Sequence, residues 1–529
     1  MPPYTSAEFD LAHAYRGIPL RQPLPIPATV IACLAAQARA HGGDPFVTEV
    51  AAGGEAETLS YGEAEARSRR TASWLRGELQ AGPGAVVGLL ARNDAASVVA
   101  ILGLLRAGCA VLMLNPADPP GRLRQQAEAL GARAVLRVPS VAPDVLPEAV
   151  PVPGTAGLPP AGEADPPLDP GADALFFGTS GSTAASKLVA QSHYSAAVNA
   201  EAMRRHHGLA RGDRLLACLP IHHVNCLHFT LFGTLAAGAH VFLAHGFDPF
   251  GYPRLLERCR PRIASVVPSI LEGLLAAWRA PRLPAGFDYF VSAAAPLTAR
   301  TAREVEDQLR TRVMQGYGLT ETTNFSTTMP PGLPCDAYRR LMLEAEIPSV
   351  GVALYGNEVA VLTPGGAPAA PGEVGEICMR GHSVMTRYAG NPQATAEAFR
   401  HGWFHSQDLG FEVEEGGRRF FVITGRTKNI AKVGGESVSL DEMDRVLRAV
   451  PRVADAGCVA MPHRLLGEEI VAAVVCAEDV GDAELRAHLR AVFAAAALPR
   501  RIVRVGVLPR TPTGKLLRAE LARQLESGV

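Results

Sequence analysis

Between residues 59 and 114 the apolar positions switch between two periods. Residues 61–80 carry them at helical spacing, 85–90 (AVVGLL) is a short apolar run, 95–106 is helical again, and 110–114 is a second apolar run. Short apolar runs alternating with helices predict an α/β arrangement whose sheet is covered on both faces. The longest apolar stretch, SVVAILGLLRAGCAVLML at 97–114, contains Arg106 and a Gly-Cys-Ala break. That predicts a buried helix followed by a buried strand, not a membrane span. Residues 139–172 are rich in Pro, Gly and Ala and read as a surface connection without regular structure, ending where the strand ALFFGT begins. A second α/β stretch runs from 197 to about 313, and a mixed region rich in Gly and Pro follows to about 424.

The tail has a different rhythm. It reads as a helix at 440–449, strands at 456–460 and 470–476, a helix at 483–497 and a last loop, PRTPTGK. Those elements make a small α+β domain of roughly 100 residues, a size that folds alone. The expected class is therefore α/β, with a large N-terminal domain of layered α/β subdomains over 1–427 and a small α+β domain over 428–529.

Composition narrows the partners. The 529 residues exceed what one core supports, roughly 250–300, so more than one domain is required. Apolar residues make up 48% and charged residues 19%, an ordinary globular balance. A formal net charge of -1 gives no electrostatic reason to expect nucleic acid or an anionic membrane as partner. Arg67, Arg69, Arg70 and Arg76 are expected on the solvated face of a helix. Nine cysteines without a CxxC pair or metal-ligand spacing fit reduced thiols in a cytoplasmic protein. The N-terminal MPPYTSAEFDLAHAYRG has no basic region leading into an apolar core, so no secretory signal is expected.

The first candidate for chemistry is FFGTSGSTAASKLVAQSH at 176–193. It fails the Walker P-loop pattern, because Lys187 stands between Ser186 and Leu188. Backbone N–H groups in a Gly/Ser/Thr turn can form an anion-binding nest, to which a lysine adds charge. Taken alone, the stretch fits an ordinary surface turn equally well.

Four further motifs stand in order along the chain: QGYGLTE at 315–321, GWFHSQD at 402–408, GRTKNIAKVGG at 425–435 and RTPTGK at 510–515. Together with the loop they resemble the adenylate-forming superfamily of acyl-CoA synthetases, adenylation domains and luciferases, from about residue 59 to 515. The resemblance implies that Thr179, Ser180, Gly181, Ser182, Thr183 and Lys187 surround the ATP phosphates. It places Thr320 at the α-phosphate and Glu321 on Mg²⁺, a hard ion that prefers carboxylate oxygen. It puts the backbone of Ala294, Ala295 and Pro296, in SAAAPL, against the adenine, with Gln315, Gly316, Tyr317 and Gly318 in the same nucleotide site. Asp408 would accept hydrogen bonds from the ribose hydroxyls, with Arg426 beside it. Lys515 would stabilise charge developing as the acid attacks the α-phosphorus.

The same resemblance assigns lesser roles. His223, in PIHHVNCLHF, would gate the acyl pocket, with His222, Asn225, Thr322 and Asn324 around the acid. Zinc at His222, His223 and His228 is disfavoured for want of a second ligand cluster. Lys428 would be the hinge of a mobile C-terminal domain, and Lys432, Gly434 and Gly435 would line the thiol-acceptor side. His193 would be structural. Ala184, Ser186, Leu188 and Gln407 depart from the family pattern, which leaves the mobility of the loop open.

The implied reaction is ATP- and Mg²⁺-dependent activation of a small acid, aryl or polar, followed by transfer to CoA or to the phosphopantetheine of a separate carrier protein. No carrier domain is expected, since only fourteen residues follow Lys515. Two alternatives differ in outcome: activation of an unusual acid such as nitrite with transfer to an amine, and a non-catalytic nucleotide-binding member. The expected oligomeric state is a monomer or a homodimer.

Overall fold

The computed structural model describes residues 7–51, 54–162, 165–179, 187–279, 282–433, 436–463, 467–476, 480–511 and 514–526. Two large sheets share one hydrophobic core. A nine-stranded sheet has at its centre the parallel strands Arg214–Ala217, Ile263–Val266, Tyr289–Ser292 and Arg312–Gly318. A seven-stranded sheet is built on the parallel strands Val86–Leu90, Ala110–Leu114 and Asp173–Gly178. Residues of both contribute to the same core, so the two sheets are one packing unit. A third sheet of five strands carries Gly375–Gly381, Trp403–Glu415 and Arg418–Arg426 over its own apolar cluster.

The local signals explain the elements. The helix Tyr61–Gly77 starts at a capping box, in which Ser60 Oγ accepts the Glu63 N–H and the Glu63 carboxylate accepts the Ser60 N–H. The 97–114 stretch is the helix Ala95–Arg106, capped by Asp94, followed by the strand Ala110–Leu114. Gly103 lets these two helices meet, because a Cβ there would lie 2.5 Å from the Thr71 side chain. No helix of the described residues is long and apolar enough to cross a membrane. All nine cysteines are free thiols.

Three expectations require correction. The arginines of the first long helix do not decorate a solvated face. All four are half-buried, and Arg70 donates to the carbonyls of Leu158 and Pro159 while Arg69 lies 3.0 Å from Asp165. Arg106, only 1% exposed, pairs with Glu65 and with Asp165 at 2.5 Å. The helix thus uses its charge to bind the 139–172 connection, which is itself not wholly irregular: Val150–Pro151 adds a short parallel strand beside Ala134–Arg137, and two single 3₁₀ turns flank it. The third correction is the helix expected over 483–497. It stops at Arg490, because the chain must double back to lay Arg501–Arg504 parallel to the strand Gly467–Cys476.

Beyond residue 430 a further five-stranded sheet pairs Val453–His463 with Gly467–Cys476 and is covered by the helices Leu440–Arg448 and Asp482–Arg490. Its apolar core draws only on residues from Ala431 onward. This unit touches the rest at defined points: Arg445 Nη1 donates to Thr424 O at 2.5 Å, and the Arg426 N–H donates to Asp441 Oδ2 at 2.9 Å.

Candidate active site

Three sheets supply the walls of one cleft. The strand Arg312–Gly318 delivers QGYG and ends in a 3₁₀ turn over Thr320–Thr322. The turn is tight because Gly318 lies under it: a Cβ there would come 1.9 Å from Asn324 O. The strands Trp403–Glu415 and Arg418–Arg426 bring Asp408 and Arg426 into register opposite one another. The phosphate-loop candidate is the connection between the antiparallel strands Asp173–Gly178 and Leu188–Ser192, closed at its base by the Thr179 N–H donating to Lys187 O at 2.9 Å.

Asp408 is the anchor of this cleft. Only 3% exposed, it accepts from Tyr317 OH at 2.7 Å and from the Arg426 guanidinium through both oxygens. Burial alone would lower the guanidinium, but Asp408 holds it fully charged, and burial beside Asp408 pushes the Tyr317 phenol far up. Glu321 Oε1 accepts from Tyr388 OH at 2.8 Å, and its backbone oxygen accepts from the Met385 N–H at 2.6 Å. Tyr388 also carries Lys187, whose ammonium sits 4.5 Å from the ring centroid.

Lys515 enters the cleft from the small C-terminal unit. Its loop is held by Arg510, which pairs with Asp455 at 2.7 Å and donates to Gly514 O at 2.7 Å, and by the Thr511 N–H donating to Lys515 O at 2.9 Å. A Cβ on Gly514 would lie 3.3 Å from Ser269 Oγ and 3.8 Å from Ala295 Cβ, so the loop seats against the SAAAPL segment. Burial, then Arg426 and Lys428, bring the Lys515 ammonium down to about 8, against the opposing pull of Asp408 and Glu321. Lys428 is lowered too, by desolvation at the cleft mouth and then by Arg426, with Lys187 adding to it.

Four cations, Lys187, Arg426, Lys428 and Lys515, therefore face two carboxylates, Asp408 and Glu321. Of these four cations, only Arg426 has an ion pair with a carboxylate of the described residues. Such an excess of positive charge is a receptor for a polyanion. The hard carboxylate oxygens of Glu321 beside it suit a divalent ion such as Mg²⁺.

The other expected residues distribute as follows. Ser180, Gly181, Ser182, Thr183, Gly434 and Gly435 lie outside the described residues. Ala294 has a left-handed backbone, φ 69°, and is exposed along with Pro296. Thr320 offers its carbonyl to Gln191 Nε2 at 2.8 Å. Thr322 is fully buried, and its hydroxyl closes its own turn by donating to Leu319 O and Asn324 O. Asn324 is buried with its amide nitrogen unpartnered, as is Gln315 Oε1. Asn225 lies on a π-helical turn, Asn225–Phe232, and accepts from Ser265 Oγ at 2.8 Å. The His222 and His223 rings stand 4.8 Å apart at the start of this turn. Burial lowers both, His222 to about 3, so both are neutral. Lys432 is exposed, with its ammonium on Ser437 Oγ.

The structure also brings in residues that the motifs did not single out. Glu376 accepts from the Gln407 N–H at 2.8 Å and lies 2.7 Å from His405 Nδ1, with Cys378 Sγ 3.5 Å from the same nitrogen. Glu376, Cys378 and His405 are the one group of metal-ligand type found among the described residues. Their contacts are those of a hydrogen-bonded brace: Gln407, at φ 62° where the family pattern has Gly, is pinned by Glu376 next to Asp408. Tyr388 was equally invisible, and the roles of Gln191 and of His228, which the sequence raised only as a disfavoured zinc ligand, were too, since each acts across a distance of tens or hundreds of residues in sequence.

Comparison with known proteins gives the family of the chain. Residues 34–389 match the family model of the AMP-binding enzymes, and 442–515 match that of the AMP-binding enzyme C-terminal domain. The sulfoacetate–CoA ligase of Cupriavidus necator is 33% identical over 83% of this chain and 87% of its own. A feruloyl-CoA synthase of an Amycolatopsis species is 31% identical over 91% and 96%. Among solved structures, the O-succinylbenzoate–coenzyme A synthetase of Bacillus subtilis in complex with ATP and magnesium ion superposes with a TM-score of 0.80 at 25% identity, covering 93% of this chain and 99% of that one.

Proposed function

As the chain belongs to the AMP-binding enzyme family, within the adenylate-forming superfamily, and is an AMP-forming acid ligase, we propose that this cleft joins a small carboxylic acid to the thiol of coenzyme A through an acyl-adenylate. The observation that carries the reading is the meeting of Lys187, Arg426, Lys428 and Lys515 around Asp408 and Glu321.

ATP would lie with its ribose on Asp408 and its phosphates toward Lys187. The acid carboxylate attacks the α-phosphorus, the bond to the bridging oxygen breaks, and pyrophosphate leaves. Lys515 and Lys187 stabilise the charge that gathers on the non-bridging and leaving oxygens. When bound at Glu321, Mg²⁺ neutralises phosphate charge. Arg426 keeps the Asp408 carboxylate oriented, and Tyr388 does the same for Glu321. In the second step a thiolate attacks the acyl carbon and AMP leaves with its bonding electron pair.

The relatives support a thiol acceptor, since those named are CoA ligases, and this favours CoA over the amine of the nitrite reading. Their names also support a small acid, one aliphatic sulfonated and one aromatic. Within that class the neutral His222 and His223 and the Asn225–Ser265 pair suit a polar substituent better than a second full charge.

The test is a pyrophosphate-release screen over aryl, short-chain, hydroxy, amino and inorganic acids, run with and without CoA and with AMP quantified. Release with one or more small carboxylic acids and a CoA thioester as product is expected. AMP formed only from nitrite and an arylamine overturns the reading, as does silence across the panel by a protein that binds ATP.

A further inference from the structure

Behind the Thr320–Thr322 turn lies a chain of hydrogen bonds in which every donor and acceptor is determined. Gln191, fully buried on the strand Leu188–Ser192, stands 2.8 Å from Thr320 O and 3.3 Å from Thr323 O through Nε2. Both partners are carbonyls, which only accept, so the amide NH₂ must face them and Oε1 must face the other way. There it meets His228 Nε2 at 2.8 Å. That nitrogen therefore carries the hydrogen, and Nδ1 is left as a buried lone pair without a partner. Burial lowers His228 to about 3, which keeps the ring neutral as this pattern needs. The ring is wedged between Phe177, at the foot of the phosphate-loop strand, and Phe232.

The turn that Gln191 holds is a strained one. Thr323, a β-branched residue, has φ 67° and ψ -48°, and the Asn324 N–H donates to Thr322 O at 2.8 Å across it. This is a γ-turn of the rare, unfavourable hand, and it persists only where surrounding contacts impose it. Three contacts do so: Gln191 on Thr323 O, Ser383 O accepting from Thr323 Oγ1 at 2.7 Å, and the Thr322 hydroxyl donating to Asn324 O at 3.1 Å. Glu321 sits between the two carbonyls that Gln191 grips.

We propose that Gln191 and His228 are positioning residues that hold the Thr320–Thr323 turn in the strained shape that aims the Glu321 carboxylate at the metal of the nucleotide complex. Because His228 stands on the same π-helical turn as Asn225, the brace joins the acid side of the cleft to the metal side. The inference rests on the reading of Glu321 as the metal-holding residue.

Both side chains are fully buried behind the turn, so their loss should appear in metal binding and not in nucleoside binding. The experiment uses the whole chain and needs no identified acid: titration of Mg²⁺ in the presence of α,β-methylene-ATP, with adenosine binding and thermal unfolding measured alongside. Gln191→Met and His228→Phe are expected to raise the Mg²⁺ concentration for half-saturation on the order of ten-fold and to leave adenosine affinity within about two-fold. His228→Gln, which restores an N–H donor, should return most of the loss, and the double variant should lose no more than Gln191→Met alone. Folded variants with unchanged Mg²⁺ dependence overturn the proposal. So does an equal loss of adenosine affinity, which would mark a general loosening, and so do additive losses in the double variant. If Gln191→Met does not fold, the contrast between His228→Phe and His228→Gln decides. Failure of the unaltered protein to bind the Mg²⁺ complex refutes the assignment of Glu321 instead, a separate outcome.

Discussion

Replacing Lys515 by methionine removes an ammonium that the ligand-free cleft holds against its own charge. Burial, Arg426 and Lys428 bring this lysine from 10.5 to about 8. At about 1.4 kcal/mol per tenfold change in proton affinity, the protonated form is opposed by about 3 kcal/mol in the folded protein. The sign follows from proton counting. Below about 8 both folded and unfolded chains carry the proton, and the folded state bears the full penalty. Between about 8 and 10.5 the unfolded chain binds more protons, so stability rises with pH and the penalty disappears. Lys515→Met should therefore stabilise the ligand-free protein at pH 7 by up to about 3 kcal/mol, with the advantage shrinking through pH 9. Activity should move the opposite way, with adenylation falling on the order of 10²–10³-fold. In the unaltered enzyme kcat/KM, which reports the free protein, should decline above about pH 8, while kcat holds to higher pH because bound phosphates restore the ammonium. Thermal unfolding at pH 7 and 9 and a pH profile of pyrophosphate release read both effects. A variant no more stable than the parent at pH 7, or one that keeps the alkaline decline, refutes the reasoning.

Other substitutions probe the remaining parts. Asp408→Asn leaves the Arg426 guanidinium without its counter-charge and should destabilise by about 2–3 kcal/mol while weakening ATP binding; an unchanged denaturation midpoint would contradict the buried pair. Tyr388→Phe removes one neutral donor from Glu321, about 1 kcal/mol, and should raise the Mg²⁺ requirement roughly five-fold, read by metal titration of pyrophosphate release. Gly318→Ala forces a Cβ to 1.9 Å from Asn324 O and should cost about 3 kcal/mol or more, seen as loss of soluble protein or a sharply lower melting temperature. Arg106→Met removes the buried guanidinium that Glu65 and Asp165 share and leaves them only Arg69, and should destabilise by about 1.5–3 kcal/mol in urea, an effect that a merely solvated arginine would not show.

Much of the fold was legible from period alone, because its strands are short, apolar and separated by capped helices. The helix over Ala95–Arg106 and the strand over Ala110–Leu114 were read to the residue: Asp94 marks the start of one and the Gly108-Cys109 break separates them. Where reading failed, the cause was tertiary. Nothing local distinguishes Arg106 or Arg70 from a solvated arginine, since their partners lie 41 and 88 residues away. The helix expected to reach residue 497 had helical composition, yet the need to return a parallel strand ended it early. In the cleft, motif residues that bear charge were visible, whereas the braces behind them were not. Gln191 looks like one more polar residue in a strand, and its meaning depends on two carbonyls more than a hundred residues downstream.

The strand that leads into the phosphate-loop candidate is paired antiparallel with the strand that leaves it, Leu188–Ser192. In a Walker loop the strand runs into a helix, whose dipole is a permanent part of the anion site. Among the described residues of this cleft, the positive charge comes from side chains on separate elements: Lys187, Arg426, Lys428 and Lys515. Two of them, Lys428 and Lys515, lie at or beyond the start of the C-terminal unit. Any swing that carried this unit away would withdraw as much as two charges at once, and the hold on a departing polyanion would collapse without a bond being broken. The cleft would then be a grip that discharges, with product release governed by where the lysines are anchored in the chain.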